Sequence, residues 1–201
     1  LFYLFFIHLV SHFIPFERLS LSPDNYSILS QGNNGIENFF LFPNRPLSYI
    51  FIEIQNALIY NNNILDLLLI FFSSFLTIYL SFELLRLFFN KKLSFIIIII
   101  YSLLFNKLEI FHSSIMVYIN LTSSLYLLSL IIFISYTKNN NYIYLLISLL
   151  LYLIAIFSYE IGIFFPFLYL IFCILVSQVG LKRSILNIGP FFLVLFFYLS
   201  F

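Results

Sequence analysis

Long apolar runs separated by brief polar breaks dominate the chain. Apolar stretches occupy residues 1–16, 64–89, 93–108, 115–137, 142–158, 161–179 and 185–201. A helix that crosses hydrocarbon needs about 20 mainly apolar residues, and these runs approach that length. The breaks are short: Asn90, Lys91 and Lys92; Lys138, Asn139, Asn140 and Asn141; Gly180, Leu181, Lys182 and Arg183. Short connections make sequential helices antiparallel neighbours. The pattern predicts an all-α fold, a polytopic membrane helix bundle of about seven hydrophobic helices with the first truncated. Residues 1–201 read as a single transmembrane domain. The start at Leu1 and the apolar finish at Phe201 read as a fragment of a longer chain. Residues 1–16 lack a basic n-region and a small-residue cleavage site, so the end of a first membrane helix is expected there rather than a signal peptide.

One stretch breaks the pattern. Residues 17–45 are rich in Pro, Asp, Asn, Gly, Gln and Ser, with Gly32, Asn33, Asn34 and Gly35 at their centre. This is an outer loop too polar for hydrocarbon, and loops of this length are usually functional or disordered. Residues 46–60 follow as a juxtamembrane helix that opens on Pro46, a residue suited to a first helical turn. Tyr49, Glu53, Asn56 and Tyr60 fall at i, i+4, i+7 and i+11, one face of a helix. Ile50, Ile52, Ile54, Leu58 and Ile59 supply apolar surface elsewhere. The segment therefore reads as an amphipathic helix lying at the membrane interface.

Composition sharpens this picture. Hydrophobic residues make up 63% of the chain and charged residues 8%, with a mean hydropathy of +1.08. Soluble domains carry about a quarter charged residues, so a water-facing surface cannot be built from this set. Heavy use of Phe, Ile, Leu, Tyr and Asn, with no Trp, reads as the coding bias of an AT-rich genome. Most aromatic stripes are accordingly expected to be lipid-facing filler. A net charge of +1 with scattered basic residues gives no groove for nucleic acid. The single cysteine, Cys173, excludes an intrachain disulfide and a cysteine metal cluster.

The charges also orient the chain. With residues 17–60 outside and the helices threaded alternately, Arg86, Lys91, Lys92, Lys138, Lys182 and Arg183 fall on the cytoplasmic side. Arg18, Arg45 and Lys107 fall outside, in keeping with the positive-inside rule. The acids played no part in that choice, yet Glu17, Asp24, Glu37, Glu53, Asp66, Glu109 and Glu160 all land at or near the outer face. Glu83 alone lands inside, three residues before Arg86, where an ion pair accounts for it. The expected location is a multi-pass membrane protein of the bacterial inner membrane or the endoplasmic reticulum.

Several polar groups bear on chemistry. Asp24, after Ser22 and Pro23, suits a general base or a metal-holding carboxylate, although Pro-Asp-Asn is also ordinary turn chemistry. Arg45 suits a phosphate, because guanidinium matches phosphate oxygens with paired hydrogen bonds, and equally suits a lipid headgroup. Glu109 and His112 are spaced i, i+3, which is an acid–base pair or two ligands on one turn; two ligands alone do not make a metal site. Glu160 interrupts an apolar stretch, and an acid placed so is a functional candidate unless it only reaches the interface. Asn120 heads a glycosylation acceptor pattern inside a helix, where it is inert; Asn25 heads another in the loop. P-loop, GxGxxG, GxSxG and HExxH patterns are absent, which leaves soluble nucleotide chemistry and serine or zinc hydrolysis without support.

In their order and spacing, Asp24, then Arg45, Pro46 and Leu47, then Phe111, His112, Ser113 and Ser114, then Tyr159 through Pro166, resemble the GT-C class of membrane glycosyltransferases. The likeness is to the protein O-mannosyltransferase-like branch, and it extends over most of the chain. The chain departs from that branch where Asn25 follows Asp24, where Tyr159 precedes Glu160, at Ser114, and at Asn120 through Ser124. The resemblance implies transfer of a sugar from a polyprenyl-phosphate donor. Asp24 would deprotonate the acceptor hydroxyl or hold a divalent metal such as Mg or Mn. Arg45 and His112 would stabilise the leaving phosphate, Glu160 would act beside them, and Glu53 and Glu109 would support the site. The acceptor would arrive from outside. A transporter or lipid flippase, and a non-catalytic membrane subunit, are the competing expectations; a transporter would carry charges or broken helices near the midplane.

Overall fold

A computed structural model describes residues 3–5, 46–59, 63–103, 116–177 and 181–200. Of these residues 93% are helical, and none of them is in a strand. In chain order the helices are α1 (Pro46–Ile59), α2 (Asn63–Leu85), α3 (Lys91–Leu103), α4 (Met116–Asn139), α5 (Tyr142–Ser158), a 3-10 helix (Glu160–Phe164), α6 (Phe165–Ser177) and α7 (Leu181–Leu199). Two stretches among them are long and apolar enough to cross a membrane, Leu68–Leu85 in α2 and Val117–Asn139 in α4. The helices from α5 onward present shorter apolar lengths, so the described residues establish two such stretches and not the expected count of about seven.

Helix boundaries follow local chemistry that hydrophobicity does not report. The apolar run 64–89 was expected to be helical throughout, but α2 stops at Leu85. Leu87 and Phe88 then donate to the carbonyls of Leu84 and Leu85, three residues back, which tightens the chain into a turn. Asn90 restarts it by accepting the Leu93 amide at 2.9 Å on Oδ1, so α3 begins at Lys91 rather than at Leu93. The α4–α5 turn is as short. Asn140 takes a positive φ of 52°, which asparagine tolerates better than most residues. Asn141 then caps α5 by accepting the Ile143 amide at 3.0 Å. Lys182 and Arg183, expected in a break, lie in the first turn of α7. That helix also runs through Pro190, which has no amide to donate to the carbonyl four residues back.

The chain divides into two compact units. The first takes α2, α3, most of α1 and the start of α4; the second takes the remainder of α4 and the helices after it. In the first, Leu4, Ile78, Phe82 and Ile98 form the core, with Phe75, Leu85, Phe95 and Tyr101 packed against it. Phe5 sets its ring edgewise on Phe71 and Phe75, at 5.3 and 5.4 Å between centroids. A polar clasp joins α2 to α4: the Thr77 hydroxyl lies 2.9 Å from the Asn120 carbonyl and 2.9 Å from Ser124 Oγ. Asn120 itself is buried, and its Nδ2 has no hydrogen-bond partner among the described residues. The Glu83–Arg86 ion pair forms at 3.0 Å on the surface of α2.

In the second unit, four helices share an aromatic and hydroxyl seam. Phe133 on α4 meets Tyr169 on α6 and Phe191 on α7, and Tyr152 on α5 meets both Tyr169 and Phe191. Ser129 on α4 lies within hydrogen-bond distance of both Ser148 on α5 and Tyr169 on α6. Ser148 precedes the α5–α6 turn and Tyr169 follows it, so Ser129 joins the helices on either side of that turn. At the opposite end of the seam the Tyr136 hydroxyl donates to Asn187 Oδ1 at 3.1 Å. Tyr126, Tyr152 and Tyr169 are fully buried. The expectation of lipid-facing filler therefore fails for these three, while Phe72, Phe167 and Phe196 are exposed.

Beside the buried aromatic and aliphatic cores, many hydroxyls are buried while large aliphatic side chains stand exposed. Ser74, Ser94, Thr122, Ser129, Ser148, Ser158 and Ser184 are all at 0% exposure, whereas Leu186 and Leu193 on one helix stand 68% and 70% exposed. Even α1 follows this rule: Ser48 and Gln55 are buried and Ile50 and Ile54 face outward. Helices turn hydroxyls inward and aliphatic side chains outward where the surroundings are as apolar as the core.

Candidate functional site

Of the residues singled out from the sequence, Asp24, Arg45, Glu109 and His112 lie outside the described residues, and Glu53 is described only as a backbone position of α1. Glu160 is described in full, and the turn that carries it is built as follows. The last turn of α5 ends when Tyr159 adopts an extended backbone, φ −160° and ψ 130°. Its amide still donates to the Ala155 carbonyl at 3.0 Å, and the Ser158 hydroxyl folds back on the Ile154 carbonyl at 2.7 Å. Glu160 then opens the 3-10 helix. An acid suits that place, because the free amides of a helical first turn favour negative charge. Phe165 donates its amide to the Gly162 carbonyl and starts α6. Pro166 falls in the first turn of that helix, where a missing amide costs nothing.

Side chains from two other positions close over the turn. The Tyr126 hydroxyl donates to the Tyr159 carbonyl at 2.8 Å. Its ring lies so close to Gly162 that a Cβ there would sit inside the ring, which is the close approach that requires glycine. The Tyr126 ring also packs on Phe165 at 4.6 Å between centroids. The Tyr152 hydroxyl reaches the Gly162 carbonyl at 3.5 Å, the outer limit of a hydrogen bond. Glu160 is half-buried, and its Oε2 is shielded from solvent. A carboxyl in such a place can take or give a proton, or orient a neighbour by accepting its hydrogen bond.

Tyr126 and Tyr152 were not singled out in the sequence. Their signal was weak: each is one tyrosine among 15 in a chain crowded with aromatics, and Tyr126 finds its partner 33 residues away. Gly162 lies within the stretch Tyr159 through Pro166, and its close contact with Tyr126 explains its presence. Among the described residues no group of three or more His, Cys, Asp and Glu side chains stands together as a metal cage.

Neither a family model, nor a curated protein, nor a solved structure matches this chain. What can be said of its chemistry therefore rests on its own residues.

Proposed function

We propose that this chain is the multi-pass membrane part of a glycosyltransferase that moves a sugar from a polyprenyl-phosphate donor to an acceptor on the outer side of the membrane. The observation that carries the reading is Glu160, a half-buried acid held in a tight turn between two apolar helices. It follows in chain order an acid in a polar loop (Asp24), an Arg-Pro-Leu step into a helix (Arg45) and a His (His112). Burial of hydroxyls and exposure of aliphatic side chains support a bilayer as the surroundings. In this reading Arg45 and His112 bind the phosphate, whose charge grows as the sugar departs. Asp24 deprotonates the acceptor hydroxyl or holds a divalent cation, and Glu160 orients the groups around the phosphate.

The test uses the full chain in lipid vesicles with a radiolabelled polyprenyl-phosphate hexose. Arg45→Ala is expected to weaken donor binding. Asp24→Ala is expected to leave binding intact and slow sugar release or transfer by about 10²–10⁴-fold, the usual contribution of a general base. If no polyprenyl-phosphate sugar binds, or if Arg45→Ala, Asp24→Ala and Glu160→Gln all behave as wild type, the transferase reading is wrong.

A further inference from the structure

In a 3-10 helix the side chains at i and i+3 eclipse, so such a segment sorts its residues into three rows. Within Glu160–Phe164 the rows are Gly162, continued by Phe165 at the start of α6; Glu160 and Ile163; and Ile161 and Phe164. The last row faces out, at 54% and 71% exposure. The first row lies entirely on Tyr126. That one side chain donates to the Tyr159 carbonyl just before the helix, fills the space a Cβ of Gly162 would take and packs at a tilt on Phe165. Tyr126 thus spans the turn, from the extended residue before the 3-10 helix to the first residue of α6, and holds Gly162 and Phe165 at their 3-10 spacing. At 3.6 residues per turn the row would spiral off the ring, and Glu160 would swing with it.

We propose that Tyr126 is a positioning residue for Glu160: by gripping Tyr159, Gly162 and Phe165 together, it locks the turn in 3-10 pitch and thereby fixes where the carboxylate points. Its bearing on sugar transfer rests on the transferase reading above. Its test does not, because Glu160 is followed by its own reactivity.

The probe is a hydrophobic carbodiimide, which reacts with protonated carboxyl groups. The full chain in lipid vesicles is treated across the carboxylate titration range, and modification of Glu160 is quantified by peptide mass spectrometry. Tyr126→Phe keeps the ring and removes the hydrogen bond to Tyr159. Gly162→Ala forces the ring and the turn apart. Ser129→Ala is the control: it loosens the same helices without touching the turn. The expected result is that both turn variants change the rate of Glu160 modification, or its pH midpoint, by about fivefold or more, the factor carried by roughly one net hydrogen bond. Ser129→Ala is expected to leave both within about twofold of wild type, less than half a hydrogen bond's worth. The proposal is overturned if Tyr126→Phe leaves Glu160 unchanged, or if all three variants shift it equally, which is general loosening. Should Gly162→Ala not fold, Tyr126→Phe decides alone. An active transferase with an unresponsive Glu160 would sink the positioning role only, and a responsive Glu160 without any transfer would sink the transferase reading only.

Discussion

Ser129 offers the sharpest test of how the second unit is held together, because its hydrogen bonds can be assigned proton by proton. Ser129 Oγ is 2.6 Å from the Ser148 carbonyl, a contact in which only the serine can donate. Ser148 Oγ donates in return to the Ser129 carbonyl at 2.8 Å. Both serine protons are then used, so the Tyr169 hydroxyl, 2.7 Å from Ser129 Oγ, is the donor in that pair. The result is a reciprocal clamp between α4 and α5 with α6 joined to it by one phenol. Tyr169→Phe deletes only the third bond and keeps the ring against Phe191, so it is expected to cost about 0.5–1 kcal/mol. Ser129→Ala removes one donor and strands the buried Tyr169 hydroxyl, at a cost of about 2–3 kcal/mol. The double variant strands nothing further, so the two costs should fall short of additive by about 0.5–1 kcal/mol. Equilibrium unfolding in mixed micelles, with all four proteins measured side by side, reads these differences. A Tyr169→Phe variant as damaged as Ser129→Ala, or strict additivity of the two, would refute the proton assignment.

Other consequences are as direct. Asn141→Ala removes the cap of α5 and is expected to lower stability by about 1 kcal/mol. Asn140→Gly should be tolerated at its positive φ, whereas Asn140→Val should be worse than Asn141→Ala; both are read in the same unfolding assay. Asn120→Leu discards a buried side chain whose Nδ2 has no partner among the described residues, so it should be neutral or stabilising despite lying beside the Thr77 clasp. A destabilisation of 2 kcal/mol or so would show that the amide is paired after all. Arg86→Ala breaks an exposed ion pair and should cost less than about 0.5 kcal/mol, an effect that fades with added salt. Finally, spin labels at Leu186 and Leu193 should be quenched by lipid-borne relaxants and not by aqueous ones, as exposed aliphatic positions in a bilayer require. Preferential aqueous quenching would contradict the membrane placement.

Part of the helical layout could be read along the chain, where a run ends at a residue with its own reason to stop it. Asn140 and Asn141 mark the α4–α5 turn by chemistry alone, and Tyr142–Ser158 coincides with its expected bounds. The reading failed where the turn itself is apolar. Leu87, Phe88 and Phe89 look helical, and only the cap at Asn90 reveals that the chain has already turned. Glu160 stood out as an acid in an apolar stretch, because charge is rare enough there to be informative. The tyrosines around it did not, because a phenol serves equally well against lipid and inside a seam, and its choice depends on partners far away in sequence. That Gly162 faces a ring belongs to the same class: a glycine's reason is always the neighbour it admits.

The buried hydroxyls also bear on the order in which such a protein assembles. Ser73, Ser74, Thr122, Ser135, Thr137 and Ser158 each donate to a carbonyl three or four residues back in their own helix. Such a helix satisfies its own polar groups and can enter a bilayer singly, before any neighbour has arrived. Among the described residues, the hydroxyls of Ser129, Ser148, Tyr126 and Tyr136 reach another segment instead, and Thr77 reaches both its own helix and a neighbour. Insertion and association are thereby separable: the first is complete within each helix, and the second is decided by a handful of bonds made late, when the segments are already side by side.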